Sequence, residues 1–486
     1  MEEEQEIKEL NFHLGSFGGV VPILIFVIWA IIASFLGVIT TNGLSMGAII
    51  GLIVGMAICK NSGDIYAQAV FEGFTQTIAA VAIVAWFFAG MFSEVLQAGG
   101  LVEGLVWIAH ITGVEGGLFV AINFLLAAAF ASAVGTGYGT VVAFATLMYP
   151  AGIIMGAHPV ILVASICSGA AFGDNLAPIS DTTIVSAATQ ETDVPGVVKS
   201  RFKYAITAAI PTFILYIILG AAPQGAAGVE GTTAIIEEYA DPSGLLLLIP
   251  FALVLILAFS GFHLLVSLTW GIIVGILVNV LLGLAPLSAI IHFNTQEATI
   301  SGALVDGLAG YVEYAILILL IVACSHMIRL SGAMEDFREW ITAKINGVIM
   351  RAELAYWAMV ALLNSVITIN TAAEVAAAPF VRQIGKDHHI HPYRRANFLD
   401  AQTSALGYIY PWSAGLLLAI TTIRRLTNEY EFIEPISPAQ VTPYVFHGWI
   451  LLVIFFVAAI TGIWRRYEGP NGEELMHPPN KDDDPS

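Results

Sequence analysis

Windows of about twenty residues almost free of charge restrict this chain more than any other feature. VVPILIFVIWAIIASFLGVI (20–39) is one and WILLVIFFVAAITGIW (449–464) is another. About twenty apolar residues in a helix cross a bilayer core of roughly 30 Å. Inside that core the backbone has no water to bond, so a spanning segment must satisfy its own polar groups. With 57% hydrophobic and only 11% charged residues, a soluble protein of 486 residues could not cover its surface. The expected fold is therefore an all-α polytopic membrane protein.

The ends and the charge balance narrow this further. MEEEQEIKEL lacks a basic region and a small-residue cleavage site, so residues 1–17 are expected to be a cytoplasmic segment rather than a signal peptide. The tail from 467 to 486 is polar and expected to be disordered. Cys59, Cys167 and Cys324 lie in apolar spans, which implies neither a disulfide framework nor a metal cluster, and no cofactor is expected. A net charge of −19 argues against nucleic acid as a partner.

The sequence also repeats. HPVILVASICSGAAFGDNLAPISD (158–181) lies on HPYRRANFLDAQTSALGYIYPWSA (391–414) with His-Pro on His-Pro, Pro178 on Pro411 and Ser180 on Ser413. AVFEGF (69–74) meets ALVDGL (303–308) at nearly the same offset. Two homologous transmembrane repeats are expected, at 18–221 and 244–466, joined by an external linker at 222–243. Each would hold paired short arms read as a re-entrant hairpin (117–134 and 140–156; 353–367 and 371–384) and a broken helix (159–190; 392–423). Five crossings per half is odd, so the second repeat would be inverted. With both termini cytoplasmic, all of the 18 Lys and Arg fall inside except Arg424 and Arg425. A multi-pass position in the cell membrane follows, surrounded by lipid.

Chemistry concentrates at FGDNLAPISDTT (172–183). Non-helical backbone at membrane depth is tolerated only inside protein or beside a wet cavity, and transporters with inverted repeats use such breaks to bind cargo. Gly173 would turn the backbone and Pro178 would open the second half-helix. Asp174, Asn175, Ser180, Asp181, Thr182 and Thr183 offer hard oxygen donors to a cation and its competitor, the proton. Sodium is placed at Asp174, Asp181 and Thr182. The alternative for the two acids is a helix cap at a wet interface. The second half adds Asp400, Thr403 and Ser404. Thr136, Tyr138 and Thr140 form one hairpin tip, with Asn370 and Thr371 at the other and Glu374 just beyond it.

FGDNLAPISDTT resembles the FGD-x-x-SP-x-SDTT signature of the NhaC-type sodium/proton antiporters, within the ion transporter superfamily. Gly173, Asp174, Pro178, Ser180, Asp181, Thr182 and Thr183 match it, and Ala177 stands where the signature has serine. LDAQTSALGYIYPWSAG resembles the family's second-half pattern through Asp400, Thr403, Ser404, Pro411 and Trp412. The resemblance implies exchange of sodium for protons by alternating access. It leaves open sodium-coupled transport of a small organic acid or amino acid, which Tyr408 and Tyr410 would suit as an aromatic lining. An enzyme is not expected, since the chain lacks HExxH and a nucleotide-binding loop. By analogy, helices in 18–60 and 244–283 would mediate a homodimer.

Overall fold

The computed structural model describes residues 9–36, 38, 40–178, 180–222, 240–260, 262–296, 298–345, 347–470 and 472–479. The apolar windows fold as helices. In the first half these are α1 (Val21–Phe35), α2 (Thr41–Ile58), α3 (Gly63–Phe74), α4 (Thr77–Ala98), α5 (Leu101–Thr112), α6 (Gly116–Val134), α7 (Gly137–Ile154), α8 (Pro159–Leu176), α9 (Asp181–Thr189) and α10 (Val194–Leu219). In the second half the main helices are α11 (Leu248–Phe259), α12 (Leu264–Leu282), α13 (Val312–Leu330), α14 (Ile349–Ile367), α15 (Asn370–Asp387), α16 (Pro392–Leu406), α17 (Ala414–Leu426) and α18 (Phe446–Thr461). Among the described residues, seven helices are long and apolar enough to cross a membrane, or up to nine when each sharply bent pair counts as one span.

Burial separates the centre from the rim. The apolar windows of α7 and α8 are 89% and 78% buried, whereas those of α10 and α12 are 33% buried. The exposed side chains of the outer helices are apolar, among them Ile53, Ile214, Ile218, Leu281 and Val457. Such a continuous apolar surface belongs against hydrocarbon. The chain is thus an all-α polytopic membrane protein.

Four features differ from the sequence expectation. The hairpin arms are not short, because α6 and α14 have 19 residues and α7 and α15 have 18. At 1.5 Å per residue they are about 27–29 Å long. The first break does not begin at Gly173, since α8 runs through Gly173, Asp174 and Asn175 and ends at Leu176. Gly173 serves a close approach instead: a Cβ there would stand 2.3 Å from the Ala128 carbonyl oxygen of α6. The tail is not featureless: Tyr467–Glu468 forms a short antiparallel pair with Glu474–Leu475, and the Glu468 N–H donates to His389 O at 2.8 Å. Arg395 and Arg466 hold the acids of this hairpin, with Nη1 to Glu468 Oε2 at 3.5 Å and Nε to Glu474 Oε1 at 3.2 Å. Residues 480–486, and 223–239 of the expected linker, lie outside the described residues.

The fourth difference concerns the basic residues. Arg201, Arg394 and Arg395 are buried inside protein. Arg394 Nε bonds Glu353 Oε1 at 2.8 Å, and Arg465 Nη2 bonds Glu353 Oε2 at 2.6 Å. Arg425 pairs with Glu94, joining α17 to α4. These charges hold helices together, so the topology reading rests on fewer free charges than the sequence count suggested.

Candidate functional site

The break between α8 and α9 is only four residues, 177–180. Pro178 cannot donate to a helical ladder, and Ala177 and Ser180 adopt extended backbone. Ser180 does not cap its own helix. Its hydroxyl instead donates to Asp174 Oδ1 at 2.8 Å and lies 3.0 Å from Thr182 Oγ1. The Gly137 N–H, at the start of α7, also bonds the Asp174 carboxylate. Orphan amides at a helix start favour an anion, so the first hairpin tip and this acid fix each other. Asp181 opens α9 and accepts a 2.6 Å hydrogen bond from Thr371 Oγ1 of the second tip.

The two tips also meet directly. Tyr138 OH donates to Asn370 Oδ1 at 3.2 Å. Behind them Tyr138 packs on Tyr408 and Trp86, with ring centroids 5.8 and 6.1 Å away. Gly137 is required here, because a Cβ would fall 2.0 Å from the Tyr408 hydroxyl.

A cavity of about 700 Å³ opens on this junction. Seven of the fifteen residues singled out from sequence line it: Thr136, Tyr138, Asp174, Asp181, Thr182, Asn370 and Thr371. Its opposite side is apolar, built from Ala80, Val84 and Ala85 of α4, Leu265 of α12, and Ile318 and Val322 of α13. No Lys or Arg stands among its described lining residues.

The other eight sit behind the cavity wall. Asp400 is fully buried and ion-paired with Arg201, itself fully buried. Asp400 also accepts from Ser404 Oγ at 2.8 Å and from Thr183 Oγ1 at 3.1 Å. Arg201 Nη1 reaches the Asn175 carbonyl at 2.7 Å, and its Nε reaches Asn397 Oδ1 at 3.1 Å. Thr140 and Thr403 return their hydroxyls to their own helices, bonding Thr136 O at 2.9 Å and Asp400 O at 3.1 Å. Ser180 holds Asp174 as described. Glu374 is fully buried on α15. Tyr408 and Tyr410 do not line the cavity: Tyr408 is buried under Gly137, and Tyr410 stacks on Trp412 at 5.4 Å.

Two participants were missed. His263, which the sequence did not mark as a site residue, lines the cavity just before α12. Arg201 was counted only among the Lys and Arg expected inside, yet a signal was present. Val197, Arg201, Tyr204, Ala205, Ala208 and Thr212 fall on one helical stripe, and all are buried. A further pattern, GLSMG at 43–47, has the G-x-S-x-G spacing. It lies inside α2, where Ser45 donates to the Thr41 carbonyl at 3.1 Å, and so forms no nucleophile elbow.

Residues 7–221 match the model of the Na+/H+ antiporter family. The malate-2H(+)/Na(+)-lactate antiporter of Bacillus subtilis is 26% identical over 171 residues, 35% of this chain and 36% of that protein. The arginine/ornithine antiporter ArcD of Halobacterium salinarum is 22% identical over 351 residues, 68% of this chain and 72% of that protein. The Na(+)/H(+) antiporter NhaC of Alkalihalophilus pseudofirmus is 25% identical over 206 residues, 42% of each chain. The match thus spans just over a third of the first relative and under half of the last. The match over residues 7–221 makes the first half of the chain similar to the Na+/H+ antiporter family, and the named relatives are transporters rather than enzymes.

Proposed function

We propose that the protein is a secondary active transporter of the cell membrane that exchanges sodium for protons by alternating access. The observation that carries this reading is the pairing of Asp174 and Asp181 on one cavity wall with no Lys or Arg among its described lining residues. A cavity lined by one sign of charge concentrates the opposite ion. Sodium would sit between the two carboxylates and the Thr182 hydroxyl, and protons would compete for the same carboxylates. A buried acid is tolerated at membrane depth when it is paired, protonated or holding a cation, so cargo exchange keeps the site solvated by one ion or another. Asp400 has a different part in this reading. Its charge is met by Arg201, and the pair fixes the end of α8.

The two halves would be inverted repeats, with the hairpins α6–α7 and α14–α15 and the two broken helices moving against the outer helices. Both termini would be cytoplasmic. A homodimer would form through helices in 18–60 and 244–283.

The second reading keeps this site and adds an organic solute, an acid or an amino acid, coupled to sodium. It is favoured by the cavity volume of about 700 Å³, which falls within the ~300–1,000 Å³ of small-molecule sites. The test uses proteoliposomes holding a pH-sensitive dye. A sodium gradient should move protons with no organic solute present, and a choline gradient should not. Proton movement that appears only when an organic acid or amino acid is added selects the second reading.

A further inference from the structure

Glu374 is the one acid of this region with neither a partner nor a place on the cavity wall. It is fully buried, and neither carboxylate oxygen has a hydrogen-bond partner among the described residues. It lies on the inner stripe of α15 with Asn370, Ala373, Ala377 and Ala378, all buried. Thr371 precedes it by three residues, so the two side chains share a helix face. Thr371 is the residue whose hydroxyl bonds Asp181 at 2.6 Å. Glu374 therefore stands one helical turn from Thr371, the residue that bonds the acid facing the cavity.

The charges around it are accounted for. Asp174 of α8, Asp181 of α9, Arg201 of α10 and Asp400 of α16 are the groups that act on it. Arg201 is committed to Asp400 and to the Asn175 carbonyl. Glu353 of the neighbouring α14 is engaged by Arg394 and Arg465. An ionised carboxylate buried with no partner is among the most costly groups a protein can hold, whereas the neutral acid is not.

We infer that Glu374 is a proton-binding site separate from the sodium carboxylates, and that sodium arriving at Asp174 and Asp181 drives its proton out. The inference rests on the sodium/proton reading above. The step balances simply: the Glu374 O–H bond breaks, the proton leaves to water, and the negative charge left behind is offset by the arriving sodium. The reverse step reprotonates Glu374 as sodium departs. The coupling needs only the electrostatic linkage of two cations that favour the same acidic region.

The experiment counts protons. Sodium is added to weakly buffered, detergent-solubilised protein, and a pH indicator reports protons released per sodium bound. Wild type should release protons. Glu374→Gln, which copies the shape of the protonated acid, should still bind sodium and should release about one proton fewer, and Glu374→Asp should restore the count. An unchanged count in Glu374→Gln overturns the inference, whereas no release from wild type fails the sodium/proton reading itself. Should Glu374→Gln not fold, infrared difference spectra of wild type and Glu374→Asp decide. Sodium should remove a protonated-carboxyl band whose position differs between the two, and an identical band in both contradicts the inference. A merely structural Glu374 would change stability or sodium affinity and leave the count alone.

Discussion

The two broken helices carry similar residues and use them in opposite ways. In the first, α8–α9, Asp174 and Asp181 face a cavity with no Lys or Arg among its described lining residues. In the second, α16–α17, Asp400 points into protein and meets Arg201. On the proposed reading, one helix of the pair offers unneutralised charge to an entering cation. The other spends its acid on holding the first in place, through Arg201 and the Asn175 carbonyl near the end of α8. A cation at a helix C-terminus also favours the dipole there. What separates the cavity-facing acids from the paired one is therefore a buried guanidinium 199 residues from Asp400 in sequence.

Removing that guanidinium should have the largest effect. Arg201→Met leaves Asp400 buried and uncompensated, a loss of about 3–5 kcal/mol. Thermal unfolding in detergent should show it as a large drop in midpoint. Arg201→Met combined with Asp400→Leu should recover most of the loss, because a buried pair replaced by well-packed apolar groups is often neutral. Failure of the double variant to recover would mean that the pair's hydrogen bonds, not its charge balance, hold the break.

That contrast was only half legible in the sequence. The spans, the hairpin tips and the polar island at 172–183 are local signals, and the structure brings seven of the fifteen residues they marked to one cavity. Gly173 misled because glycine is read as a turn former, and its need for close packing on Ala128 appears only once α6 is beside it. The arms looked short because the polar tips were counted outside them, yet Gly137 and Asn370 are helical. Arg201 shared a stripe with apolar residues, but its partner on α16 could not be read from spacing. The tail hairpin was hidden for the same reason, since Arg395 and Arg466 supply its charges.

Smaller changes sharpen the first break. Gly173→Ala forces a Cβ against the Ala128 carbonyl and should cost about 1–3 kcal/mol, read as a lower unfolding midpoint. Tyr138→Phe deletes the hydroxyl that bonds Asn370 and should cost about 1 kcal/mol, with sodium dependence weakened because the tips separate more easily. An unchanged midpoint and sodium dependence would show that the contact between the tips contributes nothing.

The smallest effect concerns pH. Outside the membrane-spanning helices, Lys386 and Arg382 hold the exposed Glu191 carboxyl below its ordinary value of 4.5, the Lys386 hydrogen bond first. A carboxylate lowered in the folded state stabilises it above that ordinary value and loses this as pH falls through the lowered one. The link between the α9–α10 loop and α15 should therefore weaken only below about pH 4.5, and a Glu191→Gln variant should lack that dependence. Screening makes the effect slight, and it should shrink further in high salt.

The most direct measurement compares the two acids in one assay. Sodium-driven proton flux would be recorded in proteoliposomes for Asp181→Asn and for the Arg201→Met, Asp400→Leu double variant, each checked for folding by size-exclusion chromatography. The account predicts flux lost in folded Asp181→Asn and retained in the folded double variant. Flux retained without the Asp181 charge, or lost with the apolar pair in place, would contradict the division between a binding acid and a structural one.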